Sequence, residues 1–249
     1  MSETEIQPLI EVQNVYKSFG DLDVLKGVSM QVHSGSSDVI LGRSGIGKSV
    51  LLKSIVGLLI PDSGNIEVMG HQVIGMKASA LNKLRKSIGY VFQYAALYDS
   101  LTVRENLAFP LQRHSGVDEE EVNARVIEQL RLVGLESAID KMPSELSGGM
   151  KKRIGLARAI ITKPSIVFYD EPTAGLDPIT AREISELILN LEEQFGITSI
   201  TVTHDLECAR TIANRIYILD AGVFLISGTF NELKESMEPT TRKFFKVVA

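Results

Sequence analysis

The sequence predicts an α/β fold with a helical block set into its middle, and three observations carry that reading. Residues 165–169 and 199–203 are short, apolar, β-branched runs, suited to a parallel sheet buried on both faces. Between them Pro178 opens a helix on which Ile184, Leu187, Ile188, Leu191 and Phe195 recur at helical spacing, closed by Gly196, so strand and helix alternate. From about residue 95 to residue 161 the chain changes character and reads as helix.

Taken in order, residues 9–12, 28–32 and 38–41 are β-rich pieces. A helix over roughly residues 48–59 follows a glycine-rich loop, and the Pro61-Asp62-Ser63-Gly64 turn leads into a strand at 65–68. Residues 88–92 make a further strand. Asp118-Glu119-Glu120-Glu121 opens a helix as an acidic cap, with Val122, Val126, Leu130 and Val133 on one face and Gly134 at its end. Leu146-Ser147-Gly148-Gly149-Met150 opens the next helix, whose face includes Ile154, Ala157 and Ile161. Residues 216–219 and 224–227 flank Asp220-Ala221-Gly222, which reads as a hairpin.

Composition narrows the function classes. The 249 residues carry 26 Lys+Arg against 31 Asp+Glu, a net charge of −5, which argues against a general nucleic-acid binder because such proteins carry a basic face. Apolar residues at 44% and charged residues at 23% are ordinary globular values, so a packed core is expected without staples or structural metals. One cysteine, Cys208, excludes an internal disulfide framework and fits a reducing compartment. The opening MSETEIQPLIEV lacks the basic and apolar regions of a signal peptide. The longest apolar stretch, residues 50–60, is broken by Lys53 and Ser54 and stopped by Pro61, well short of the ~20 residues a spanning helix needs. A membrane role is therefore expected to come through a partner.

Three segments carry chemistry. Gly42-Arg43-Ser44-Gly45-Ile46-Gly47-Lys48-Ser49 fits the phosphate-loop pattern without a gap, between a β-rich run and a helix as the pattern requires. Its glycines let backbone N–H groups turn inward around a polyphosphate, and the helix N-terminus adds positive potential. Lys48 reaches for β- and γ-phosphates, and Ser49 offers a hydroxyl to Mg²⁺. Residues 165–171 form an apolar strand ending in Asp170-Glu171, and acids at the tip of a parallel strand lie in the crevice where α/β sheets hold ligands. Asp170 is placed to hold Mg²⁺ through water, and Glu171 to polarise an attacking water. Ser147-Gly148-Gly149 at a helix start is a third, weaker anion site; a flexible loop has the same composition.

In this order the pieces resemble the nucleotide-binding subunit of ATP-binding cassette (ABC) transporters over essentially the whole chain. Residues 42–50, with Val50 where the family usually has Thr, look like its Walker A loop, and residues 166–171 like Walker B. Gln93 resembles the Q-loop glutamine, Leu146–Met150 the signature motif, Ala174-Gly175-Leu176-Asp177 the D-loop, and His204 the switch histidine. Phe19 stands where the family places a ring to stack on adenine. The resemblance implies a P-loop NTPase of the ABC type, one domain over 1–249. It would have a mixed β core (about 1–94 and 162–237), an antiparallel β subdomain, a helical subdomain (about 95–161) and a short tail (238–249). It also implies an ATPase using ATP and Mg²⁺, with Gln93 touching the metal and His204 positioning water and sensing the γ-phosphate. The signature residues lie far from their own phosphate loop in that fold. A head-to-tail homodimer is therefore implied, in which Ser147, Gly148 and Gly149 complete the partner's ATP site and ATP favours closure.

Two departures narrow the resemblance: Met150 replaces the usual Gln of the signature, and Val50 the usual Thr. With Met142-Pro143-Ser144-Glu145, Asp177-Pro178-Ile179-Thr180, residues 92–98 and Val103-Arg104-Glu105-Asn106, they look like the Mla/Mce-type lipid-transport ATPases. That subgroup implies phospholipid cargo moved between bacterial membranes, an integral-membrane permease, an MCE-domain lipid-binding subunit, and a peripheral place on the cytoplasmic side of the inner membrane. Residues 94–106, which mix Tyr94, Leu97, Tyr98 and Leu101 with polar groups, would grip a permease helix. The competing expectation is the same ATPase serving amino acids, lipoproteins or another small solute. ABC proteins of DNA repair place long insertions between the motifs, whereas here Ser147 follows Lys48 by 99 positions. The basic, aromatic tail, Thr241-Arg242-Lys243-Phe244-Phe245-Lys246, is expected to pack on its own domain.

Overall fold

In the computed structural model, residues 7–113 and 117–246 are described. The first six residues of the polar opening and residues 247–249 of the tail lie outside them. The strands are β1 (Ile10–Phe19), β2 (Leu22–Val32), β3 (Ser37–Leu41), β4 (Ser63–Val68), β5 (His71–Gln72), β6 (Ile88–Val91), β7 (Ile166–Asp170), β8 (Thr198–Thr203), β9 (Arg215–Asp220) and β10 (Val223–Gly228). The helices are α1 (Lys48–Ile55), α2 (Ala78–Arg85), α3 (Val103–Gln112), α4 (Glu119–Leu132), α5 (Gly148–Ile160), α6 (Pro178–Phe195), α7 (Leu206–Ile212), α8 (Phe230–Lys234) and α9 (Pro239–Lys246).

The strands form two sheets. An antiparallel sheet runs β2-β1-β4-β5, and a six-stranded sheet runs β10-β9-β3-β8-β7-β6. In the larger sheet β9 through β6 are mutually parallel and only β10 is antiparallel. Every residue of β3, β7 and β8 is buried, which is why these strands read as continuous apolar runs and not as alternation.

Strand pleat divides the interior. Ile40, Ile166 and Phe168 point to a core shared with β1, β2 and α1, including Ile10, Leu25 and Leu51. Their neighbours Val39, Leu41, Val167 and Tyr169 point to a second core against α6 and α7, with Ile184, Ile188 and Ile218. A third core lies within α3, α4 and α5, around Val103, Leu107, Val126, Leu130, Ile154 and Ile161. Leu187 of α6 touches both the second and third cores. The helical block therefore owns its apolar centre and meets the sheet domain at its margin.

Local chemistry sets most boundaries. Asp118 caps α4 by accepting from Glu121 N at 2.8 Å; Asp177 caps α6 through Ile179 N and Thr180 N, and left-handed Gly196 closes it. Ala221 and Gly222, both at positive φ, make the β9–β10 turn. Several boundaries differ from the sequence reading, most of all in α1, β1 and β2. The helix after the glycine-rich loop ends at Ile55, because Gly57 at φ 67 turns the chain and Leu58 N and Leu59 N both return to Lys53 O. The first two strands extend to residues 19 and 22, since a hydrogen-bonded hairpin with one wet face does not need an apolar run.

The tail folds back onto its own domain. Phe244 and Phe245 pack against the second core, and Phe245 meets Phe230 edge-on at 5.2 Å. No helix among the described residues is long and apolar enough to cross a membrane.

Candidate active site

The parallel register brings three strand tips together. Leu41 of β3 lies opposite Thr203 of β8, and Asp170 of β7 opposite Val202. The residues that follow, Gly42, Glu171 and His204, therefore emerge side by side at one sheet edge.

Backbone sterics shape the loop between β3 and α1. Gly45 and Gly47 hold φ of 78° and 109°, and a Cβ on Gly47 would stand 2.7 Å from Val24 Cγ1 of β2. A Cβ on Gly42 would meet Leu219 O at 2.7 Å, so both ends of the loop require glycine. Ile46 anchors the loop by packing on the first core, as does Val50 from α1, while Arg43, Ser44 and Gly45 are exposed. Gly47 caps α1 without a side-chain acceptor, and the first turn holds no acid.

Lys48 is only 5% exposed. Its Nζ donates to Gly42 O at 2.8 Å and Arg43 O at 3.0 Å, and lies 3.0 Å from Glu171 Oε1. The other Glu171 oxygen, Oε2, lies 2.8 Å from His204 Nδ1. A cation, a carboxylate and an imidazole thus form one chain across the three strand tips. Glu171 is 7% exposed, whereas the His204 side chain is 51% exposed. A buried ion pair adds little to folding stability because desolvation offsets the attraction; its value is a fixed arrangement of charge. Asp205 steadies the His204 end, accepting from Thr173 Oγ1 at 2.9 Å while capping α7.

Beside this chain, Ser49 Oγ donates to Asp170 Oδ1 at 2.7 Å and Tyr90 OH donates to Asp170 Oδ2 at 3.3 Å. Burial, and next the Asp170 charge, push the Tyr90 hydroxyl well above its ordinary range, so it stays a donor. No three His, Cys, Asp or Glu side chains gather into a metal cage among the described residues. The Ser49–Asp170 pair supplies hard oxygens, which fit Mg²⁺ when that ion keeps water and takes its remaining ligands from a phosphate substrate.

The other candidates lie apart. Ser147 caps α5 by accepting from Met150 N at 3.3 Å, and Ser147 and Gly148 are exposed. Among the described residues, no hydrogen bond or ion pair joins residues 147–149 to residues 42–50. Phe19 sits exposed at the β1–β2 turn with Lys17 Nζ 5.4 Å from its ring. Gln93 follows β6, and its backbone carbonyl accepts from Lys152 Nζ. Of the expected docking residues, Tyr94 is 84% exposed, whereas Leu97 is half-buried against the helical core. Tyr98 meets Phe109 at 4.8 Å. A groove of about 1280 Å³ opens beside His204 and runs between Gly175, Ala181, Arg210 and Lys243.

One participant escapes sequence reasoning. Lys152 of α5 is 5% exposed, and its Nζ donates to the backbone carbonyls of Gln93 and Glu171. Burial lowers its pKa to about 8, against the pull of Glu171 and Asp170. In the sequence it is the middle of Lys151-Lys152-Arg153 on a charged stretch of helix, with no local signal that separates it from its solvated neighbours.

Comparison with known proteins bears on the whole arrangement. The ABC transporter family model matches residues 25–174. The "Probable ribonucleotide transport ATP-binding protein mkl" of Mycobacterium leprae is 40% identical over 235 residues, 94% of this chain and 68% of that protein. "Protein TRIGALACTOSYLDIACYLGLYCEROL 3, chloroplastic" of Arabidopsis thaliana is 39% identical, over 97% of this chain and 74% of its own length. "Methionine import ATP-binding protein MetN" of Brucella abortus is 36% identical, over 97% and 65%. This chain thus spans about two thirds to three quarters of these relatives. Among solved structures, the dimeric post-hydrolysis state of the ATP-binding cassette MJ0796 with ADP and Pi superimposes with a TM-score of 0.82. It is 33% identical over 89% of this chain and 98% of its own. cbiO1 of Clostridium perfringens, part of the cbiONQ complex, gives 0.83 at 29% identity, over 98% and 100%.

Proposed function

The chain belongs to the ABC transporter family as its ATPase cassette, and from that premise we propose that it powers a membrane transporter for lipids. The observation that carries the ATPase chemistry is the chain of buried Lys48 and Glu171 with the half-exposed His204 at the mouth of the glycine-rich loop.

Residues 42–50 wrap the triphosphate, their N–H groups and the uncapped start of α1 meeting its oxygens. Phe19 stacks on the adenine. Lys48 shares its charge with Glu171 before nucleotide enters; phosphate oxygens then take the ammonium and leave Glu171 Oε1 free to accept a proton from water. Ser49 and Asp170, with Gln93, would hold Mg²⁺, which when bound would supply positive charge against that developing on the phosphate. His204 keeps Nδ1 toward Glu171, so its Nε2 is left to meet the γ-phosphate and report its presence. Ser147, Gly148 and Gly149 serve the site of a second copy, and loss of the γ-phosphate removes the contacts that favour the closed pair. Residues 95–161 form the moving helical subdomain, with residues 1–94 and 162–237 as the core.

The lipid reading rests on Met150, on residues 92–98 and 177–180, and on likeness to a relative named for a galactolipid. It brings with it a permease docked at Tyr94, an MCE-domain subunit, and a peripheral location at a bacterial inner membrane. The relatives named for ribonucleotide transport and methionine import mark the alternative cargoes.

Glu171→Gln tests the chemistry: ATP binding should persist while turnover falls by about 10²–10³-fold, and wild-type turnover would sink the assignment. Purification of the chain from native membranes in mild detergent tests the cargo. Phospholipid with a permease and an MCE-domain protein supports the lipid reading; a solute-binding protein in their place overturns it.

A further inference from the structure

Helix α5 begins with Ser147-Gly148-Gly149 and then, one turn on, drives a lysine into the protein. Among the described residues Lys152 has no carboxylate within ion-pair distance. Its ammonium donates to Gln93 O and, at 3.0 Å, to Glu171 O, the first residues after the neighbouring parallel strands β6 and β7 or one beyond. A lysine suits this task because it carries three donors on a long stem and can satisfy two diverging carbonyls at once.

The Glu171 backbone needs such support. Its φ is 49°, a left-handed conformation that side-chain-bearing residues rarely hold unless surrounding contacts impose it. Glu171 N donates to Val202 O at 2.9 Å, and Glu171 O accepts from both Ala174 N at 3.2 Å and the Lys152 ammonium, which ties the residue to α5 as well as to its own turn. From that backbone setting the carboxylate reaches Lys48 and His204.

The rest of the α5 face repeats the grip on the segment after β6. Gly155 lies against Ala95, where an added Cβ would come within 3.1 Å of the Ala95 Cβ. Arg158 donates to Ala95 O at 2.7 Å and Ala96 O at 2.9 Å, and both alanines hold positive φ. Residues 93–96 are thus clasped along two turns of α5, and Lys152 alone extends the clasp to Glu171.

We propose that Lys152 is a positioning residue that locks the Glu171 and Gln93 backbones to the signature helix, so that the hydrolytic carboxylate is aligned by the same helix that presents Ser147 to a second copy. The inference rests on the roles proposed above for Glu171 and the signature.

The test uses the purified full chain and compares Lys152→Met, Lys152→Arg and Glu171→Gln. The measurements are kcat, KM for ATP, affinity for a fluorescent ATP analogue, and thermal melting. For Lys152→Met a fall in kcat of about tenfold or more is expected, with KM and analogue affinity within about threefold of wild type. Lys152→Arg, which keeps charge and several donors, should recover most of the rate. A merely structural lysine would lower the melting temperature and leave kcat per folded molecule and its rescue by Arg unmoved. If Lys152→Met does not fold, Lys152→Gln gives the same reading, since its amide is shorter and carries no charge. Retention of kcat within about twofold by Met or Gln overturns the inference, as does a loss shared equally by kcat and ATP affinity. Wild-type turnover by Glu171→Gln would instead overturn the site reading beneath it, so the two failures are distinguishable.

Discussion

Helices α1 and α5 both begin at glycine-rich turns that lack a local counter-charge, yet the chain finishes them in opposite ways. The α1 turn is capped by Gly47 with no side-chain acceptor, and its lysine is buried against Glu171. The α5 turn caps itself with Ser147 Oγ and stands in solvent, with its buried lysine a turn below and aimed at backbone carbonyls. The first site therefore holds its electrostatic complement within one chain, pre-organised before any ligand arrives. The second presents an exposed serine and glycine that, among the described residues, have no hydrogen bond or ion pair to residues 42–50, as expected of a surface that completes a neighbour's site.

Substitutions can break this contrast. The largest effect belongs to Lys48→Ala, which removes the cation at the self-sufficient end: turnover should fall by about 10²–10³-fold, with ATP affinity falling alongside it, read by steady-state hydrolysis and nucleotide titration. Ser147→Arg attacks the other end. Nucleotide binding by the monomer should stay within about twofold, while the ATP-bound dimer expected in a Glu171→Gln background disappears in light scattering. A Ser147→Arg chain that still dimerises with ATP would erase the proposed division of labour.

The sheet beneath the α1 end holds a further test. Glu192 of α6 is 5% exposed beside Ser37, Tyr169 and Ser199, yet neither oxygen is in good hydrogen-bonding geometry. Burial raises its pKa to about 7, against an ordinary carboxylate value of 4.5. The folded state binds that proton more tightly than the unfolded chain, so this contribution to stability is greatest below the unfolded pKa and is lost as pH rises toward 7. Glu192→Gln should remove roughly 3 kcal/mol of that pH dependence. The check is denaturant unfolding of both proteins at pH 5 and pH 8, where the variant should gain on wild type only at pH 8. The smallest effect is Ser147→Ala, which deletes a cap worth about 1 kcal/mol. A fall in melting temperature of roughly 2–4 °C is expected, with nucleotide binding by the monomer retained.

Much of the site was legible because its signals are local. The spacing of Gly42, Gly47 and Lys48 announces a phosphate loop, and Asp177, Pro178 and Gly196 announce where α6 starts and stops, because caps and left-handed turns act over a few residues. Even here one local signal was overridden. Gly57 ends α1, but the apolar run on either side of it reads as continuous helix. Residues 94–98 show the opposite limit. Tyr94 and Leu97 look alike as candidates for a docking surface, but the fold sends Tyr94 to solvent and packs Leu97, half-buried, against the helical core.

The sequence by itself determined an α/β chain with a helical insertion, a phosphate loop, an acid pair at a strand tip and a serine-glycine helix start. Each of these is written in propensity, periodicity or backbone sterics over a dozen residues or fewer. Tertiary structure alone decided that Lys48, Glu171 and His204 touch, because that depends on the register of β3, β7 and β8, set by pairings such as Ser37 with Ser199 and Ile166 with Thr198 that no short stretch of chain contains. It also decided that Lys152, one cation among three in a row, turns inward to the carbonyls of Gln93 and Glu171, while Lys151 stays part-exposed and Arg153 pairs with Glu183. Direction of that kind is a property of packing, which no stretch of sequence carries alone.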